Sequence, residues 1–230
     1  MPSRGRKLLF HVLGNVFLGI AIGLVGYNAA TAGLTALEQS RLRQELVRFQ
    51  KAVPSAAEPT STPDGQTNGP RFDYGAWHAE DGAYWSGLAT GDVFGRIVAP
   101  AMRLDSVIVK GVATRDLKQG PGWAPYTDLP FHTGNVGISG HRTTYGAPFR
   151  RLDQLAKGDT IDVFSPYRRY RYVVERQLIV TPEKVEVFGS TQEPTLTLTA
   201  CHPPFSARYR IVVQARLIDV RRIQDITDEE

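Results

Sequence analysis

The sequence predicts an all-β domain, a closed or nearly closed antiparallel barrel or sandwich, carried behind one N-terminal apolar helix. Three observations point there. Residues 8–37 contain no charged side chain. Residues 54–70 read PSAAEPTSTPDGQTNGP, a composition that cannot build a core. From Phe94 onward, short runs rich in Val, Ile, Thr and Tyr alternate with Gly and Pro. The 230 residues suit one or two domains, and the 42% hydrophobic and 22% charged fractions exclude a wholly disordered chain and a polytopic membrane protein. The net charge of +4 comes with no Lys/Arg block on a candidate recognition helix, so no nucleic-acid partner is expected.

Leu8–Ala30 supplies the roughly 20 apolar residues that cross a ~30 Å hydrocarbon core. Arg4, Arg6 and Lys7 precede it and favour an N-terminus inside, with the rest of the chain outside, although Arg41, Arg43, Arg48 and Lys51 on the far side blur the bias. A cleaved signal peptide is the other reading, with Ala30-Thr31-Ala32 as its small-x-small site. Signal-peptide cores usually run only about 7–15 residues, which favours a retained anchor. Leu37, Leu42, Leu46 and Phe49 recur at helical spacing and extend that helix. Pro54–Pro70 is then a solvated tether. Arg71–Gly91 is a transition zone whose Tyr74, Trp77, Tyr84 and Trp85 are expected to pack on the domain that follows. Gly19-x-x-x-Gly23 has the spacing of packing helices.

Seven strand runs follow, FGRIVAP, SVIVKGV, VGISG, DTIDVFS, RYRYVVERQLIV, PTLTLTAC and YRIVVQARLIDV, with a short helix expected at Pro148–Leu155. The Pro194–Cys201 strand alternates. Leu196 and Leu198 point one way, while Thr195, Thr197, Thr199 and Cys201 point the other, so the cysteine lies on the polar face at the strand's end. It is the chain's one cysteine, which excludes an intramolecular disulfide and any multi-cysteine metal site. A lone cysteine is ordinarily a small buried hydrophobe, but an unpaired thiol outside the cytoplasm, on a polar face, points to use as a nucleophile. His202-Pro203-Pro204 stops the strand, and a hairpin of this loop length returns Arg210 near Cys201, where a guanidinium stabilises a thiolate or an oxyanion. Of the histidines, His11 lies in the apolar helix, His78 in the transition zone, and His202 faces away from its neighbour Cys201. His132 and His141 remain, and His141 has small neighbours that leave room for a substrate backbone. A His132–His141–Cys201 metal site has no ligand spacing to support it.

Three blocks, LKQGPGW (117–123), GISGHRTTYGAPF (137–149) and LTLTACHPPFSARYR (196–210), resemble the sortase family, and HRTTYG is similar to its class E. The resemblance spans about Gly91 to Arg222. It implies an eight-stranded sortase-type β-barrel with short helices, and a cysteine transpeptidase of Gram-positive bacteria that needs no metal or organic cofactor. His141, Cys201 and Arg210 then carry the family's histidine, nucleophile and arginine. The implied reaction cuts a Leu-Ala-x-Thr-Gly or Leu-Pro-x-Thr-Gly signal of a secreted protein between Thr and Gly. The new end passes to an amine of the peptidoglycan precursor or of a pilin lysine. Ala200 stands where the family strand usually has threonine, and removes a hydroxyl near the thiol. Thr199, Ala200 and Tyr145 are the expected substrate-lining residues.

The resulting organisation is a cytoplasmic tail (1–7), an anchor (8–34), a juxtamembrane helix and tether (35–70), a transition segment (71–91), the catalytic domain (92–222) and an acidic tail (223–230). Two competing functions remain: an L,D-transpeptidase of peptidoglycan, disfavoured because an SHGC-like block around the cysteine is missing, and a non-catalytic tethered barrel that binds surface proteins.

Overall fold

The computed structural model describes residues 4–52, 74–131 and 133–227. The Pro54–Pro70 tether and His132 lie outside them. A single helix, α1, runs Arg4–Ala52 for 49 residues, about 70 Å at ~1.5 Å per residue. Its apolar part is long and hydrophobic enough to cross a membrane, with a mean hydropathy of 2.2 over its best window and none of that window buried. Helix α2 (Tyr74–Gly87) follows. Then come β1 (Val93–Ala99), β2 (Leu104–Lys110), α3 (Thr114–Leu117), β3 (Gly122–Trp123), β4 (Asn135–Ser139), β5 (Thr160–Phe164), β6 (Arg168–Val180), β7 (Thr195–His202), β8 (Tyr209–Arg222) and α4 (Ile223–Thr227).

The eight strands close into a barrel in the order β1-β2-β3-β4-β7-β8-β6-β5. The expected purely antiparallel pattern does not hold, because β2 pairs with β3 and β4 with β7 in parallel. Parallel neighbours need a crossover, and β5 and β6 supply it between β4 and β7. β3 is two residues long, too short to leave a run in the sequence. The Pro148–Leu155 helix reduces to a 3₁₀ turn at Leu152–Gln154, and the stretch called an acidic tail begins with α4.

The transition segment contributes to the core. Trp77 and Trp85 on α2 are buried at 1% exposure, and Trp85 stacks on Phe94, which stacks on Trp123. Trp85 Nε1 donates to the Phe94 carbonyl at 3.0 Å, so its one polar atom is satisfied as it is buried. An ion pair locks α2 from the other side: Arg168, 4% exposed, reaches the fully buried Asp81 at 2.6 Å and Glu80 at 2.7 Å.

α1 is no free-standing stalk. Leu42 and Leu46, one helical turn apart, are buried against Val93, Val107 and Val109 on the barrel's outer face. Above them Gln39 acts as a four-point clamp. Its Nε2 donates to the carbonyls of Val107 and Gln119, and its Oε1 accepts from the Val107 amide and the Ser106 hydroxyl at 2.7 and 2.9 Å. Thr35 donates to the Lys118 carbonyl, and Arg43 pairs with Asp105 at 3.0 Å. The hydrogen bond from Arg96, with help from Arg43, holds the Asp105 carboxyl down at about 2.

Candidate active site

Two neighbouring strands deliver the histidine and the cysteine. β4 and β7 run parallel in register, ending in the pair Ser139–Thr199, whose hydroxyls lie 3.0 Å apart. The Gly140 amide continues the ladder to the Thr199 carbonyl at 3.1 Å. His141 and Cys201 each follow two residues later, so they leave the same barrel edge from strands about 4.8 Å apart. Gly140 is needed here, because a Cβ on it would lie 2.8 Å from the ring of the buried Phe149.

The β7–β8 hairpin supplies the arginine. Cys201 pairs directly with Arg210 across that ladder. The Arg210 Nη1 donates to the carbonyls of Ala207 and Tyr209 at 3.1 and 3.2 Å, leaving Nε and Nη2 for another acceptor. His141, Cys201 and Arg210 line one cleft of about 310 Å³, together with Thr199 and Ala200. All three are half-buried, open to a ligand without being bathed in solvent. The 3₁₀ turn Val185–Phe188 forms an apolar wall with Val112, Leu117 and Tyr126, the Phe188 ring meeting that of Tyr126 edge-on at 5.9 Å. A buried network fastens that wall: Asn135 Nδ2 donates to the Val187 carbonyl at 2.9 Å, while its Oδ1 accepts from the Thr197 hydroxyl at 2.7 Å. The threonine face of β7 is therefore roofed over, not solvated as its alternation suggests.

Burial, and next the charge of Lys118, lowers the His141 pKa below its ordinary value, which favours the neutral imidazole. Its Nε2 is buried and has no hydrogen-bond partner among the described residues. Lys118 Nζ lies 5.4 Å from the centre of the Tyr145 ring, and that ring lies 5.1 Å from the imidazole, tilted 39° to it.

The expected substrate-lining residues Tyr145 and Ala200 are placed differently from each other. Tyr145, at φ 50, lies beside His141, and its hydroxyl is 3.2 Å from that of Tyr27 on α1. Ala200 does border the cleft but belongs to the core with Leu196 and Leu198 at 3% exposure. A threonine hydroxyl there would face the barrel interior, because it lies on the leucine side of the strand.

One residue escaped sequence reasoning. Arg142, 3% exposed, places Nη1 2.7 Å from His202 Nδ1 and Nη2 2.9 Å from Asp153. It joins the residue after His141 to the residue after Cys201. The available signal was an arginine directly beside a candidate histidine, read only as part of a motif.

The comparisons agree with this architecture. A family model described as a sortase domain matches residues 97–218. Sortase SrtE1 of Streptomyces coelicolor is 34% identical over 97 residues, 38% of this chain and 28% of that protein. Sortase D of Bacillus subtilis is 30% identical over 115 residues, 50% of this chain and 57% of that protein. The chain thus spans between a quarter and three-fifths of these relatives. Among solved structures, Streptomyces coelicolor sortase E1 with a tripeptide in its active site superposes with a TM-score of 0.55 at 27% identity, covering 59% of this chain and 93% of that one. The SrtA sortase of Actinomyces oris gives 0.56 at 29% identity, with 60% and 86% covered. A domain match over more than half of the chain, on a closed eight-stranded barrel, means that this chain belongs to the sortase family and is most like its class E.

Proposed function

We propose that the chain is a membrane-anchored cysteine transpeptidase, with Cys201 as nucleophile, His141 as acid and base, and Arg210 as the stabiliser of the substrate carbonyl. The observation that carries the reading is the convergence of these three side chains, from β4, β7 and β8, on one cleft. The Cys201 thiolate attacks the carbonyl carbon of a Thr–Gly bond. Nε and Nη2 of Arg210 receive the charge that develops on the carbonyl oxygen. The C–N bond breaks as His141 gives its proton to the leaving glycine amine, and a thioester remains. An incoming amine loses a proton to His141 and attacks the thioester, releasing Cys201 as thiolate.

Burial lowers the His141 pKa, which makes the imidazolium partner of a thiolate–imidazolium pair harder to form. The apolar wall suits the leucine of a Leu-Ala-x-Thr-Gly or Leu-Pro-x-Thr-Gly signal. α1 spans the membrane with its N-terminus inside, so the cleft faces outward toward secreted proteins and toward peptidoglycan or pilin amines.

The test uses the full chain in vesicles, with each signal peptide, with and without oligoglycine, beside Cys201→Ala. Mass spectrometry is expected to find a thioacyl adduct on the unmodified chain alone and an amine-dependent ligation product. A folded, alkylatable chain that forms neither would sink the proposal in favour of a binding barrel.

A further inference from the structure

The barrel rim beside α1 carries features that the proposed chemistry does not use. Phe205 is 89% exposed, sits at φ 65, and follows two prolines in the loop between β7 and β8. A non-glycine residue in the left-handed region is uncommon and calls for a reason. Between this loop and α1 lies a groove of about 660 Å³, lined on the helix side by Leu24, Val25, Asn28 and Ala29 and on the barrel side by Pro204 and Phe205 together with Arg142, Thr143 and Arg150. Leu24 and Val25 are themselves 59% and 70% exposed. The Tyr27–Tyr145 hydrogen bond fixes the rim to this level of the helix.

The level identifies the occupant. In the span reading of Leu8–Ala30, Leu24 lies six residues from the outer end, about 9 Å along the axis at ~1.5 Å per residue. That is the depth, roughly 5–10 Å, to which apolar faces enter the boundary between headgroups and acyl chains. The groove therefore opens where the outer leaflet surrounds α1. Most of its lining surface is apolar, as an acyl chain requires. The exposed Arg150 at its edge complements a phosphate.

We propose that the Pro203–Phe205 loop is a membrane-docking element, with Phe205 inserted among the acyl chains and Arg150 on the headgroup of an anionic phospholipid held between the barrel rim and α1. The proposal rests on the reading of α1 as a span. It places Cys201, four residues before Phe205, just above the bilayer surface.

Brominated lipids test it on the full chain in vesicles of phosphatidylcholine and phosphatidylglycerol. The native tryptophans, Trp77, Trp85 and Trp123, are at most 5% exposed and give the baseline. Phe205→Trp is expected to add blue-shifted emission, most of which is lost when the bromine sits on the upper part of the acyl chain. Arg150→Glu on that background is expected to weaken this loss in phosphatidylglycerol vesicles but not in pure phosphatidylcholine; an unchanged loss in both overturns the headgroup contact. Phe17→Trp, in the middle of the apolar segment, reports on the span alone. Quenching of Phe17→Trp with water-like, unquenched emission from Phe205→Trp overturns the docking proposal and spares the span. No quenching of either overturns both. A blue shift of Phe205→Trp that follows the protein-to-lipid ratio and ignores bromine means that a second copy fills the groove, and also overturns the proposal.

Discussion

At Lys118 a single charge tunes the proposed acid. Its ammonium lies near the Tyr145 ring that neighbours His141 and makes the imidazolium harder to form. Removing that charge raises the His141 pKa, because the charged form loses a repulsion. Lys118→Gln is therefore expected to move the acid limb of the pH–rate profile to higher pH while leaving the alkaline limb in place, as read from kcat/KM on a signal peptide. Arg142 acts through its neighbours. Replaced by methionine, it loses the bond to His202 and the pair with Asp153, itself half-exposed. A small displacement of two reacting groups costs up to ~100-fold. Arg142→Met is expected to lower kcat/KM by about ten- to a hundredfold with a melting temperature within a few degrees of the parent, and Arg142→Lys to recover part of the loss. The Cys201–Arg210 pairing was legible in the sequence because alternation and loop length fix a hairpin's register. The Tyr27–Tyr145 contact was not, since it depends on how α1 docks on the barrel.

Between elements, the docking of α1 is the least legible feature. Its barrel-facing stripe, Thr31, Thr35, Gln39, Leu42 and Leu46, mixes polar and apolar residues and yields no apolar face. Polar residues serve there because the outer edge of β2 offers backbone groups that need partners, and Gln39 satisfies both an amide and two carbonyls. Leaving a buried backbone group unpaired costs about 1–3 kcal/mol. Gln39→Ala is expected to speed hydrogen exchange at the Val107 amide and to destabilise the α1–barrel contact by about that amount. The strand runs themselves were readable, since β-branched residues between Gly and Pro leave a clear pattern. The parallel β2–β3 and β4–β7 pairs were not, because pairing direction depends on where the crossover goes.

For the molecule as a whole, the boundary of the folding unit matters most. Trp77 and Trp85 lie inside the barrel core, and truncating a buried tryptophan costs roughly 3–5 kcal/mol. A chain starting at Asp92 also strands the Arg168 guanidinium without Asp81 and Glu80. Such a chain is expected to lose its cooperative thermal transition by circular dichroism, whereas one starting at Tyr74 keeps it at a lower midpoint.

The clamp on α1 changes what the segment between Ala52 and Tyr74 is for. Both of its ends are already fastened to the barrel, through Leu46 on one side and Trp77 on the other. The distance from the apolar segment to the cleft is therefore set by α1 itself. Height and heading are set by helical phase: one residue inserted between Ala30 and Thr31 turns the apolar segment by about 100° relative to the barrel, while several added within 53–73 turn nothing. Transfer to a membrane-held amine is expected to fall sharply for the first insertion and to ignore the second, while cleavage of a soluble signal peptide tolerates both.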